Sequence, residues 1–332
     1  MEWGSFSGAG HRMVGKDHGL AEMEQGETIV IGIGVRAANG GLEVLDLPEP
    51  RRAGEGELVL EVIAAGIGPW DALLPANDWD VGLEPPAALG VEAVGRVGAT
   101  GPDETGFEVG DVVLVHEAPL PGGSGTWAER VLVRAAHVAR LPEGLAPEIA
   151  AALPVAGLTA RQVLDELQVG AGTRLLVVGA SGPTASLAVQ LAHRRGAEVV
   201  AGAGPAHADQ LRAFGADEVI DTHVGGWAQT TGRRFDAVFI AATGTAEDAI
   251  TLVVDGGRLT SITSDAPDSV RGITTSDLYV QPDGPVLGEL ARLAAAGDLV
   301  LDVRSTPARD GIAIADQVAN GRSGGVKHVL AF

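Results

Sequence analysis

The chain has no cysteine among its 332 residues. That excludes disulfides, a thiolate nucleophile and every zinc site built on cysteine. Lysine is almost as scarce: it occurs only at Lys16 and Lys327, and arginine takes its place elsewhere. Tyr279 is the single tyrosine. No apolar run approaches the ~20 residues of a membrane-spanning helix. Basic charge is outnumbered, 23 Lys and Arg against 44 Asp and Glu, for a net charge of −21. Such a surface repels nucleic acid and anionic lipid, so neither is an expected partner. Residues 1–26 are polar and glycine-rich and lack the apolar core of a secretory signal. They read as a flexible extension, and the protein as cytoplasmic. The histidines show no H-x-x-x-H or other paired metal spacing, and there is no Walker lysine. Gly321-Arg-Ser-Gly-Gly325 matches the nucleophile-elbow pattern. A hydrolase needs a helix after that serine and a later acid and base, so the match is accidental.

What is present is organised in two textures. From Thr28 the chain reads as short strands punctuated by Gly and Pro: Thr28–Val35, Leu42–Leu47, Glu57–Ala65, Val91–Val97, Asp111–His116 and Thr126–Val133. This predicts a β-rich, barrel-like unit. After about Leu153 strands and helices alternate, which predicts a doubly wound parallel sheet. Strands are expected at Leu175–Val178, Glu198–Ala201, Glu218–Ile220, Ala237–Ile240 and Arg258–Ile262, with helices at Ala206–Phe214 and Ala246–Val253. The tail adds a helix at Val286–Ala296, a strand, a helix near Gly311–Ala319 and a final strand Lys327–Phe332.

The segment richest in meaning runs from Arg174 to Ala201. Leu175–Val178 is a short apolar run, the pattern of a strand buried on both faces. Gly179-Ala180-Ser181-Gly182-Pro183-Thr184-Ala185 follows, then Leu187, Leu191 and Ala192 at helical spacing, and Gly196 ends the helix. A helix N-terminus leaving such a turn offers free N–H groups and partial positive charge to a diphosphate. The spacing is Gly-x-x-Gly-x-x-Ala rather than G-x-G-x-x-G, but alanine still permits close helix–strand packing. Pro183 removes one N–H from the turn. The reading is a βαβ dinucleotide site in a redox enzyme. NAD enzymes place Asp or Glu at the end of the second strand. Here that end is Ala201-Gly-Ala203-Gly204-Pro-Ala-His207, with no carboxylate. NADPH is therefore expected over NADH.

Several segments, in order over about residues 28–332, resemble the medium-chain dehydrogenase/reductase superfamily in its zinc-free quinone oxidoreductase and enoyl reductase-like branch. They are Ala64-Ala-Gly-Ile-Gly-Pro-Trp-Asp71, Ala88-Leu-Gly-Val-Glu-Ala-Val-Gly-Arg-Val-Gly98, Phe107-Glu-Val-Gly-Asp-Val-Val113, Gly125-Thr-Trp-Ala-Glu-Arg130, Ala151-Ala-Leu-Pro-Val-Ala-Gly-Leu-Thr-Ala160, the glycine turn, Leu211-Arg-Ala-Phe-Gly-Ala-Asp-Glu-Val-Ile-Asp221 and Gly325-Val-Lys-His-Val-Leu330. The resemblance implies an α/β protein with a GroES-like catalytic domain, 27–150 and 281–332, and an inserted Rossmann domain, 151–280. It implies hydride transfer from NADPH to a quinone, enone or related activated alkene, without zinc, in a homodimer. Gly68 stands where this branch usually has asparagine, while Pro69 and Asp71 match.

The acceptor is expected between Trp70, Asp71, His116 and Tyr279. Trp70 is either an aromatic wall or core. Tyr279 is either a proton donor or packing. His116 is either a buried, satisfied histidine or a proton relay. Cofactor contacts are expected from Thr159, the Gly179–Ala185 turn, Ala203, Gly204, Ala242, Thr243, Val280 and Lys327. His207 is either a weak cation for a 2′-phosphate or a surface residue. Lys327 approaches the cofactor, closes the cleft or begins a solvated strand. The alternative reading is a member without redox activity, a cyclase or binding protein, favoured by Gly68, Pro183 and Ala185.

Overall fold

The computed structural model describes residues 29–76, 81–103, 105–232 and 234–332. The extension expected over residues 1–26 lies outside them, as does Thr28. The first half carries β1 (Ile29–Val35), β2 (Glu43–Pro48), β3 (Glu57–Ile67), β4 (Ala87–Ala88), β5 (Glu92–Thr100), β6 (Val112–His116), β7 (Arg130–Arg134) and β8 (Val138–Arg140). Two helices follow, α1 (Pro147–Ala151) and α2 (Pro154–Glu166). Then come β9 (Arg174–Val178), α3 (Pro183–Arg194), β10 (Glu198–Gly202), α4 (Ala208–Ala213), β11 (Glu218–Ile220), α5 (Trp227–Thr231), β12 (Phe235–Ile240), α6 (Ala246–Ile250), β13 (Val253–Ser261) and β14 (Thr274–Asp277). The chain closes with α7 (Gly284–Ala295), β15 (Val303–Pro307), α8 (Gly311–Ala319) and β16 (Lys327–Ala331).

β9 to β14 form one six-stranded parallel sheet in the order β11-β10-β9-β12-β13-β14. Leu175–Val178 is wholly buried because both faces of the sheet are covered, as parallel sheets require. α2 and α3 cover one face: Leu158, Leu164, Leu187 and Val189 pack with Leu175 and Val177 in the largest core. Each such side chain contributes about 1.5–3 kcal/mol on burial. β9 is the strand at which chain order turns, with β10 on one side and β12 on the other. Ligands of open α/β sheets bind beyond the carboxyl ends of the strands at such a point.

The other large sheet runs β15-β16-β3-β5-β6-β8, with β7 also paired to β3, and a small sheet runs β2-β1-β4. The C-terminal strand β16 thus returns to the N-terminal unit, antiparallel to β3, with His328 opposite Ile67. That register carries the start of β16 to the segment that follows β3, where Gly68 and Trp70 lie.

Three expected elements differ. The strand expected over Thr126–Val133 begins at Arg130; just before it the backbone bonds elsewhere, Ile33 N–H donating to Trp127 O and Trp127 N–H to Leu89 O, each at 2.8 Å, while the Trp127 ring N–H donates to the Gly66 carbonyl at 2.8 Å. The helix expected over Ala206–Phe214 divides into a 3-10 turn at Pro205–His207 and α4. The helix expected over Ala246–Val253 stops at Ile250, and Val253 already starts β13.

Candidate functional site

The glycine turn follows β9 directly. Gly179 adopts φ +80°, and a side chain there would press on Ala241 at the end of β12. The N–H groups of Gly179 and Ala180 donate to the Gly202 carbonyl at 2.9 and 3.0 Å, and Gly182 N–H donates to Gly179 O at 3.2 Å. These bonds hold the turn. Gly182 caps α3 and Pro183 is its first residue. Proline is suited to that position, since the N–H it lacks would have no helical acceptor anyway. Thr184 and Ala185, next in the first turn, keep N–H groups without an intrahelical acceptor. Ala185 is wholly buried as a residue, and its methyl has no group to offer an anion.

A cavity of about 430 Å³ opens from this turn. Gly182–Ala185, Ala241 and Thr243 line one wall; Gly68, Pro69, Trp70 and Lys327 line the other. The residues fit an extended nucleotide diphosphate at the turn with its reactive end beside Trp70. A second cavity of about 230 Å³ adjoins it, sharing Trp70, Thr184 and Ile262, and adds Thr159, Ser264, Tyr279 and Val280.

Trp70 lies across Gly68: a Cβ at Gly68 would fall inside the indole. The departure from asparagine therefore has a steric cause. Below the indole is the Lys327 ammonium, 4.6 Å from the ring centroid. Lys327 is buried and ion-paired with Glu92, whose other oxygen accepts from Val155 N–H at 2.8 Å. Glu92 thus ties β5 to β16 and to the start of α2. Gly66 leaves the room it occupies. Lys327 is no solvated strand start; it forms part of the cleft wall.

The four acceptor-site expectations separate. Trp70 and Tyr279 share the smaller cavity. Asp71 does not join them. Its side chain is buried, accepts from Gly68 N–H at 2.8 Å and so caps the Pro69–Ala72 turn. It faces a different cavity, about 300 Å³, beside Ile312 and Ala315 of α8. Burial pushes its pKa up to about 8, against the pull of the Gly68 N–H and of Lys327. His116 is wholly buried, with Nδ1 3.0 Å from Val91 O. Burial lowers its pKa. It lines neither cavity, and its Nε2 is buried without a hydrogen-bond partner. Thr159 gives its hydroxyl proton to Val155 O at 2.7 Å.

At the other end of the turn Ala203 is buried, its N–H bound to Ile220 O at 3.0 Å. Gly204 is flanked by the His223 imidazole, and His207 lies near Gly325. Ala242 packs beside Gly179. Sequence reasoning missed His223, Glu92 and Ser264. The signals were a carboxylate at the buried start of a strand for Glu92 and a Thr-His pair just after β11 for His223. Among the described residues no group of three His, Asp or Glu side chains is placed to hold a metal ion. No helix among them is long and apolar enough to cross a membrane.

Two family models match the chain: "Alcohol dehydrogenase GroES-like domain" over residues 54–143 and "Zinc-binding dehydrogenase" over residues 183–281. The chain belongs to the medium-chain dehydrogenase/reductase superfamily, a family of nicotinamide-dependent oxidoreductases. It is 35% identical over 271 residues to erythronolide synthase EryA2 of Saccharopolyspora erythraea, a match covering 76% of this chain and 7% of that protein. It is 31% identical over 231 residues to 2-methylene-furan-3-one reductase of Solanum lycopersicum, covering 67% of this chain and 59% of that one. The chain therefore spans a small fraction of the synthase and under two thirds of the reductase. In fold it is similar to the quinone oxidoreductase from Coxiella burnetii, with TM-score 0.81 and 23% identity over 92% of this chain and 100% of that one.

Proposed function

We propose that the protein reduces a conjugated enone, enoyl thioester or quinone with NADPH. One observation carries the reading: a single cleft joins the open N-terminus of α3 to an aromatic wall made by Trp70. Reduced nicotinamide bound there supplies a hydride. The Thr184 and Ala185 N–H groups hold the diphosphate, aided by the positive end of α3. Trp70, backed by Lys327, walls the reacting end and excludes water. A conjugated acceptor spreads the incoming charge over its own carbonyl, so the chemistry needs positioning rather than a Lewis acid. The absence of cysteine agrees with a reaction that does not rest on a cysteine-ligated zinc. The relative named 2-methylene-furan-3-one reductase carries a conjugated ketone in its name, which favours a conjugated carbonyl over a quinone. NADPH is preferred because no carboxylate closes β10. The experiment is calorimetric titration with NADPH, NADP and NADH. NADPH binding at least tenfold tighter than NADH, about 1.4 kcal/mol, supports the assignment. Tighter NADH binding reverses the cofactor choice, and no binding at all removes the reductase reading.

A further inference from the structure

The smaller cavity contains a pair of hydroxyls bonded to each other. Ser264 Oγ and the Tyr279 hydroxyl lie 3.0 Å apart, and both line this cavity beside Trp70. Ser264 holds φ +57°, a left-handed conformation that costs a serine free energy. Its surroundings impose it. Asp265 accepts from Ser261 Oγ at 2.8 Å, Thr263 Oγ1 at 2.7 Å and Gly244 N–H at 2.8 Å. Ala266 N–H is held by Asp277 at 3.1 Å. The backbone on either side of Tyr279 is anchored, while its side chain is 56% exposed: Leu278 N–H donates to Ser261 O at 2.8 Å, and Gln281 exchanges bonds of 2.7 and 2.9 Å with Gln162 of α2. Strained backbone kept in place by a network of this kind is typical of a working site.

Two hydroxyls bonded to each other use one proton between them and leave the other free. The Thr159 hydroxyl is already committed to a carbonyl. We infer that Ser264 and Tyr279 together hold the carbonyl oxygen of the acceptor. The inference rests on the reductase reading and specifies its substrate as an α,β-unsaturated carbonyl compound whose oxygen points to this pair. When hydride adds to the β-carbon, the C=C π pair becomes the bond between the α-carbon and the carbonyl carbon, and the carbonyl π pair moves onto oxygen as an enolate. Water then supplies the proton to the α-carbon. The free O–H of the pair bonds more strongly to that enolate oxygen than to the neutral carbonyl, so it acts mainly in the transition state.

The test uses the full chain with Tyr279→Phe and Ser264→Gly, the latter chosen because glycine accepts the left-handed backbone without strain. 4-Nitrophenolate serves as a stable oxyanion and is titrated by its visible absorbance with NADP present. Each variant is expected to weaken phenolate binding about tenfold, while NADPH affinity by calorimetry stays within twofold. NADPH oxidation with 2-cyclohexenone should lose kcat more than it raises KM. Unchanged phenolate affinity in both variants, or wild type that binds no phenolate, overturns the pair. Wild type that binds phenolate through the pair but oxidises no NADPH with 2-cyclohexenone overturns the reductase reading and leaves the oxyanion site standing.

Discussion

The Trp70 indole occupies the volume in which any side chain at position 68 would have to lie, so Gly68 and Trp70 act as one unit. Gly68→Asn, the residue that relatives usually carry, should expel the indole from the cleft wall. The cost of overpacking is about 1–3 kcal/mol. Urea unfolding should show that loss. Adding Trp70→Ala to Gly68→Asn should recover part of it. Additive losses in the double variant would mean that the two residues are independent.

Trp70→Ala alone should alter acceptor kinetics more than cofactor affinity, because the indole stands at the reacting end of the cleft and not at the glycine turn. kcat/KM for the acceptor is compared with the Kd for NADPH. An equal or larger change in Kd would move Trp70 from the acceptor wall to the cofactor site.

Glu92→Gln removes the partner of a buried ammonium while keeping its shape. Breaking a buried pair from one side costs about 3–5 kcal/mol, since the remaining charge is uncompensated. Lys327 is only 3% exposed and cannot reach water without moving. Denaturation midpoints of Glu92→Gln and of Glu92→Gln with Lys327→Met measure it. The double variant should be the more stable of the two.

Asp71 makes a pH prediction with a definite sign. Its folded pKa, about 8, lies above the ordinary carboxyl value of 3.8. Between these the folded protein keeps the proton and the unfolded chain does not. Its contribution to stability is therefore fully present below about pH 4 and is lost as pH rises toward about pH 8. The slope approaches about 1.4 kcal/mol per pH unit within that window. Asp71→Asn can still accept from Gly68 N–H and does not titrate. Its unfolding free energy should fall less steeply with pH than the wild type's. Parallel profiles would show that Asp71 does not titrate across this range.

The strand–turn–helix from Leu175 to Leu191 was legible because its signals are local: an apolar run, a glycine turn and helical spacing. The edge strand β14 was not, because Thr274-Thr-Ser-Asp277 has no apolar alternation and is held by pairing with β13. Trp70 and Lys327 were singled out in the sequence, but the reason they matter was not visible there. Lys327 finds Glu92 across 235 residues, and no periodicity reports such a contact. Asp71 and His116 lie away from the cavities that Trp70 lines, for a related reason. A motif gives order along the chain, while the side of a turn on which a side chain falls is decided by packing against α8 and β5.

Hydride transfer to a conjugated carbonyl, in the cleft between Trp70 and the α3 N-terminus, is the proposed reaction. The most direct measurement mixes the protein with NADPH and a short unsaturated acyl thioester or enone, and follows the near-ultraviolet absorbance of the reduced cofactor together with the saturated product. The account predicts equal amounts of NADPH lost and product formed, undiminished by EDTA, with little NADP reduced when a simple alcohol is offered. Abolition by EDTA, or faster turnover of the alcohol than of the enone, would contradict it.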